Sequence, residues 1–422
     1  MSQTIHLHQA TRAALKDHAA GRANLGQLQP HIEAYWHEVM HWYDLVGTLW
    51  GARFLDLIYL CLDIRESRPN SAEDEFHKLV ELYDAERRII SPKYYHLVMD
   101  ETRRHSSRRP WRLQLSSGLE FDAYGYQDTQ RPIFFVRFSD NHTDALVARQ
   151  PLTVGALLET KALASELHTG IEFLIAESKS ESELEFQIKH YSREKSGFLY
   201  DRDLTMYTAP AHLLSRFVGT KETILTYEYA AALANVALNM SDTHFNSLKH
   251  PDSFAEFGEQ RLEAFQKSQD RGYAFAALAV QADRYDPKVS LSQWLDTALE
   301  RSGLTSYAQF SKRVRNALTN RPRLTLQVDS LLEARQEIEN AGLAFFDSMT
   351  ANGIHWIAGS HIFQQGLPIP PAFDVDGNLF SLGKHLEARA FHPEIQFERE
   401  WELIKYRDNF LGGARGVRIA GT

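Results

Sequence analysis

The chain has 422 residues, 43% of them hydrophobic and 24% charged, the proportions of a soluble globular protein with room for one large or two average domains. Its formal net charge of −9 argues against sequence-independent nucleic-acid binding, which needs basic surface to displace counterions. Cys61 is the sole cysteine, which excludes an intramolecular disulfide, and no apolar run approaches the roughly 20 residues that cross a bilayer.

The first residues lack the continuous apolar core of a secretory signal, so a cytoplasmic protein without a membrane partner is expected. After Pro30 the spacing of Ile32, Trp36, Val39, Tyr43 and Val46 predicts a helix with one core-facing stripe. His37-Glu38-Val39-Met40-His41 lies on the neighbouring face of that helix. Histidines at i and i+4 are one turn apart, so both imidazoles can reach one Zn²⁺, and the glutamate between them can serve as general base toward water. A longer three-histidine pattern is excluded, because Asp44 stands where it requires glycine and Gly47 where it requires histidine. Asp44 reads either as an acceptor for an imidazole N–H or as an ordinary exposed helical carboxylate.

Residues 52–64 form a second apolar segment in which Cys61 reads as a small buried thiol. A loop is expected over 67–74 and an amphipathic helix over 75–90. The one basic cluster, Arg103 to Arg109, reads as a solvated loop. Alternation predicts strands over 111–115, 119–124 and 133–138, with turns at 116–118 and 139–141, hence a small antiparallel sheet. Beyond residue 152 helices dominate, at 154–177, 221–238, 252–281 with a break, 290–302, 305–318, 324–347 and 394–407. Pro368 to Pro371 and Asp374 to Gly377 mark an irregular stretch. The expected lobes are a catalytic one, 1–178, and a mainly helical one, 179–422.

A catalytic zinc has three protein ligands as a rule. Glu159, set among Leu158, Ala162 and Ala164, is the first candidate for the third, because a carboxylate in apolar surroundings needs a counter-charge or a metal. Glu166 and His168 are the alternatives. His355, His361, His385, Glu387 and His392 form looser groups, read as structural or exposed.

The run from His37 to His41, with Thr48-Leu49-Trp50-Gly51 behind it and Gly155 to Glu159 far downstream, resembles bacterial HExxH zinc metallopeptidases of the gluzincin type. The resemblance covers about a tenth of the chain. It implies Zn²⁺ held by His37, His41 and Glu159, Glu38 as general base, and hydrolysis of peptide bonds in a protein or peptide substrate. The expected fold is then α+β and predominantly helical, with a zincin-like active-site helix, a small antiparallel sheet and a large helical remainder.

Two other readings use the same residues. Glu38 and His41 also make Glu-x-x-His, the unit of helical di-iron carboxylate oxidases, although no second such unit occurs in the chain. Alternatively the chain is a non-catalytic helical interaction protein, with HExxH as an incidental segment. No P-loop, strand-to-helix GxGxxG or GxSxG elbow offers a rival enzyme class. Tyr227, Tyr229 and His250 are oxyanion donors by residue type alone.

Overall fold

The computed structural model describes residues 3–22, 24–67, 72–92, 95–99, 110–121, 126–353, 355–357, 359–380 and 384–416. A short strand β1 (Ile5–His6) precedes helices α1 (Gln9–Ala19), α2 (Leu25–Gly47), α3 (Leu49–Ser67) and α4 (Ala72–Asp84). Strands β2 (Leu97–Val98), β3 (Trp111–Phe121), β4 (Gln127–Asp140) and β5 (Leu146–Pro151) follow. Then come α5 (Val154–Glu177), α6 (Glu181–Lys195), α7 (Thr205–Phe217), α8 (Thr223–Leu238), α9 (Asp242–Ser247), α10 (Glu259–Lys267), α11 (Arg271–Gln281), α12 (Leu291–Arg301) and α13 (Tyr307–Thr319). The chain closes with α14 (Asp329–Asn352), α15 (Gly359–Gln365), β6 (Ala372–Phe373), β7 (Leu379–Phe380) and α16 (Pro393–Gly416). The fold is α+β and predominantly helical. No single helix among the described residues is long and apolar enough to cross a membrane.

Contacts divide the chain into two interleaved units. One comprises Met1–Ala85, Ser165–Lys179 and Arg315–Thr422, the other Glu86–Ala164 and Ser180–Val314. The lobes expected from the sequence, 1–178 and 179–422, are consecutive stretches and are drawn elsewhere.

In the first unit α2 starts at Leu25, earlier than the sequence reading allowed. Asn24 and Gln27 form a reciprocal capping box, at 2.9 and 3.0 Å, so the helix is nucleated before the proline. Pro30 then sits inside α2, with Gly26 one turn before it. At the other end α2 and α3 meet at an angle of 83°. Thr48 makes that corner by donating to the Asp44 carbonyl at 2.6 Å and accepting from the Gly51 N–H at 3.0 Å. A Cβ on Gly51 would lie 2.2 Å from the Asp44 carbonyl oxygen, so only glycine fits there.

Helix α14 crosses α2 backbone to backbone. A Cβ on Gly342 would stand 1.9 Å from the Val46 carbonyl oxygen, and Tyr43 stacks on Phe345 at 3.9 Å beside it. Arg335 bonds Asp56 of α3 at 2.9 Å, and Arg321 pairs with the same carboxylate, so one anion of α3 holds two guanidinium groups. Desolvation lowers the Arg321 pKa to about 10. A three-stranded sheet, β1-β6-β7, lies in this unit. The stretch Asp374 to Gly377, expected to be irregular, is the tight turn between β6 and β7, closed by Asp374 and clamped by Arg12 at 2.9 Å.

The second unit contains a four-stranded antiparallel sheet in the order β2-β5-β4-β3. Here the sequence reading needs correcting: 116–118 is no turn, and 111–121 is one continuous strand paired with β4. Gly118 prompts the misreading. Its role is close approach, because a Cβ there would meet the Phe135 ring at 2.9 Å. The link from β3 to β4 falls within 122–126, so the expected strand 119–124 lies partly outside the described residues; the basic cluster 103–109 lies wholly outside them, as do residues 68–71 of the loop expected over 67–74, while 72–74 already belong to α4. Phe134, Val136 and Phe138 are fully buried on one sheet face, and Phe134 is ringed by Phe254, Phe257, Phe265 and Tyr273 with centroids 5.4–5.9 Å away. The Ala-rich α8 packs on α7, α11 and α12. The segment 252–281 resolves into a 3-10 turn (Asp252–Phe257), α10 and α11, with Asp270 capping α11 by accepting from the Tyr273 N–H at 2.7 Å.

That cap gives the unit a pH dependence. Burial pushes the Asp270 pKa up from 3.8 to about 7, with Glu120 adding to the rise. The folded state thus holds a proton that the unfolded chain has released, and stability falls as pH rises from about 4 to about 7. Asp270→Asn keeps a side-chain acceptor for the cap and removes the buried charge. Its melting temperature relative to the native chain should rise across that window, by an amount corresponding to a few kcal/mol at most. Parallel melting curves at the two ends of the window test this.

Candidate metal centre

Helix α2 presents His37 and His41 side by side, with ring centroids 4.9 Å apart and planes at 85°. The helical repeat makes this inevitable, since i and i+4 share a face. Both rings are partly buried, while Val39, Met40, Trp42 and Tyr43 beside them are buried and fix the rotation of the helix. Helix α5 is a single run from Val154 to Glu177 and carries Glu159. Its first half, with Glu159, belongs to the second unit, and its second half, from Ser165 on, belongs to the first unit with α2.

The two alternatives to Glu159 are placed differently. Glu166 stands two turns further along the same face of α5, and its Oε2 lies 3.4 Å from His37 Nδ1. A carboxylate that accepts from the second ring nitrogen is the usual companion of a metal-binding histidine. His168 lies on the other side of α5, stacked on Trp356 at 4.5 Å. Asp44 is fully buried and not the exposed helical carboxylate of one sequence reading.

Glu38 follows His37 by roughly 100° of helix rotation and is exposed. The other polar residues singled out by type serve packing. Tyr227 donates to the Tyr207 carbonyl at 3.1 Å, Tyr229 packs edge-on against Trp294, and His250 bonds the Tyr273 hydroxyl. His361 meets Ser348 at 3.0 Å, His385 pairs with Glu387 at 3.3 Å, and His355 is buried. One polar residue escaped notice in the sequence: Lys161 is fully buried, donating to Asn235 Oδ1 at 3.0 Å. Its setting in an Ala/Leu-rich helix was the available signal.

No protein-family model, curated protein or solved structure matches the chain. The reading of the site therefore rests on donor chemistry. Two imidazole nitrogens and one carboxylate oxygen suit a borderline cation such as Zn²⁺.

Proposed function

We propose that this chain is a zinc-dependent hydrolase, a metallopeptidase of the HExxH type, with His37, His41 and Glu159 as ligands. The observation that carries the reading is the pair His37 and His41, side by side on one face of α2, with the Glu166 carboxylate 3.4 Å from His37 Nδ1. On this reading α2 is a zincin-like active-site helix, and Glu159, on a later helix, supplies the third ligand as in gluzincins. Zinc held there would supply Lewis acidity and lower the pKa of water. The protein's own residues do the rest. Glu166 lies beside His37 Nδ1 and would accept from it when the ring carries its proton there. The exposed carboxylate of Glu38 accepts the proton of the attacking water and returns it to the leaving amine of a peptide substrate. The di-iron reading loses ground because the chain offers no second Glu-x-x-His unit.

Metal content of purified protein, measured by elemental mass spectrometry after zinc loading, tests the proposal. About one zinc per chain is expected, and none in His37→Ala/His41→Ala. Absence of bound metal in the native chain after zinc is added back would reduce HExxH to a packing segment of a binding protein. Two irons per chain would redirect the assignment to oxidative chemistry.

A further inference from the structure

Strand β3 ends the four-stranded sheet, so among the described residues its outer edge pairs with no strand. The direction of its backbone groups can be deduced. Asn141 N donates to the Pro110 carbonyl at 2.7 Å, next to the register pair Trp111–Asp140, so even-numbered residues of β3 bond β4 and odd-numbered ones turn outward. Two facts agree with this phase. Pro132, which has no N–H, stands opposite the odd Leu119, and the N–H of Phe121 donates away from β4, to the Tyr95 hydroxyl at 3.0 Å.

We propose that β3 pairs antiparallel with β3 of a second copy of this chain about a two-fold axis at Ser116. This register overlaps the whole strand and brings outward-facing residues opposite one another, as a ladder requires; the Phe121 N–H, held by Tyr95 in the single chain, exchanges that acceptor for the Trp111 carbonyl of the second copy. Trp111 faces Phe121 of the second copy, Leu113 faces Leu119, and Leu115 faces Ser117. On the other sheet face Arg112 lies across from Glu120 of the second copy, and by symmetry Glu120 lies across from its Arg112. Shifting the axis by one residue in either direction loses both charge pairs. The strand is thus self-complementary in charge in this one register. Arg112 now pairs with Asp144 at 2.7 Å, but both side chains are largely exposed, so exchanging or sharing that partner costs little. An eleven-residue edge carrying three leucines is also what folded proteins normally cover or blunt.

Sedimentation velocity on the full chain, over a concentration series, reads the assembly directly. The native chain should form a dimer. Arg112→Glu places like charges across both pairs and should weaken association on the order of tenfold, while Arg112→Glu/Glu120→Arg should restore it. A second variant probes geometry. Ser116 meets its own copy at a non-hydrogen-bonded position, where Cα atoms approach to about 4.5 Å, within disulfide range. Ser116→Cys treated with diamide as oxidant should therefore yield a covalent dimer on a non-reducing gel, with the two thiol hydrogens transferred to the diamide. A native chain that sediments as a monomer throughout would overturn the proposal. So would a dimer indifferent to Arg112→Glu, or a Ser116→Cys chain that stays uncrosslinked.

Discussion

Glu38→Gln should leave zinc content unchanged and lower peptide hydrolysis by about 10²–10⁴-fold, the usual contribution of a general base. The amide has the shape of the carboxylate but cannot take a proton at neutral pH. Zinc should stay, because the proposed ligands are His37, His41 and Glu159 and not Glu38. Stability should stay too, within about 0.5 kcal/mol, since the side chain is exposed. The measurement pairs elemental analysis with mass-spectrometric detection of cleavage in a peptide library that the native protein digests. Undiminished cleavage would remove Glu38 from the mechanism. Loss of zinc along with activity would instead make it a ligand.

Gly342→Ala should produce the largest loss of stability of any single methyl addition in the first unit. The new Cβ would lie 1.9 Å from the Val46 carbonyl oxygen and 2.6 Å from its carbon. These are backbone atoms in a helix and cannot rotate away, so α14 and α2 must separate. That separation also loosens the Tyr43–Phe345 stack. Alanine's better helix propensity returns about 1 kcal/mol, against about 3 kcal/mol or more for forced overpacking, so a net loss of roughly 2 kcal/mol is expected. Because α2 carries both histidines, zinc affinity should fall with it. Calorimetric unfolding and zinc titration on the same preparation test the two effects. An unchanged transition would mean the helices can part at no cost.

The histidine pair was legible in the sequence because its geometry is local: five consecutive residues on any helix produce it. Glu159 was legible only as a carboxylate in apolar company, and its distance to the histidines depends on how α5 lies against α2, which no short-range pattern encodes. The same limit explains Glu166, weighed as a ligand and found beside His37 Nδ1. Errors in the fold have local causes as well. Pro30 reads as a helix start, yet the Asn24–Gln27 capping box outweighs one missing hydrogen bond. Gly118 reads as a turn until Phe135 is seen lying over it. Helix α14 runs on to Asn352 where the sequence reading stopped at 347, since Gly353, at φ +63°, supplies the left-handed cap only there.

The two inaccessible side chains of Cys61 and Lys161 equip the protein with its own chemical clocks. Cys61, the sole thiol, is buried on α3 in one unit, and Lys161 is buried on the part of α5 that belongs to the other. Thiol and amine reagents act only on exposed groups, so each residue is alkylated or acylated at the rate at which its own surroundings open. Reaction of the two residues in step would report one cooperative opening. Divergent rates would give each unit a lifetime of its own, read from unmodified protein in a single mass spectrum.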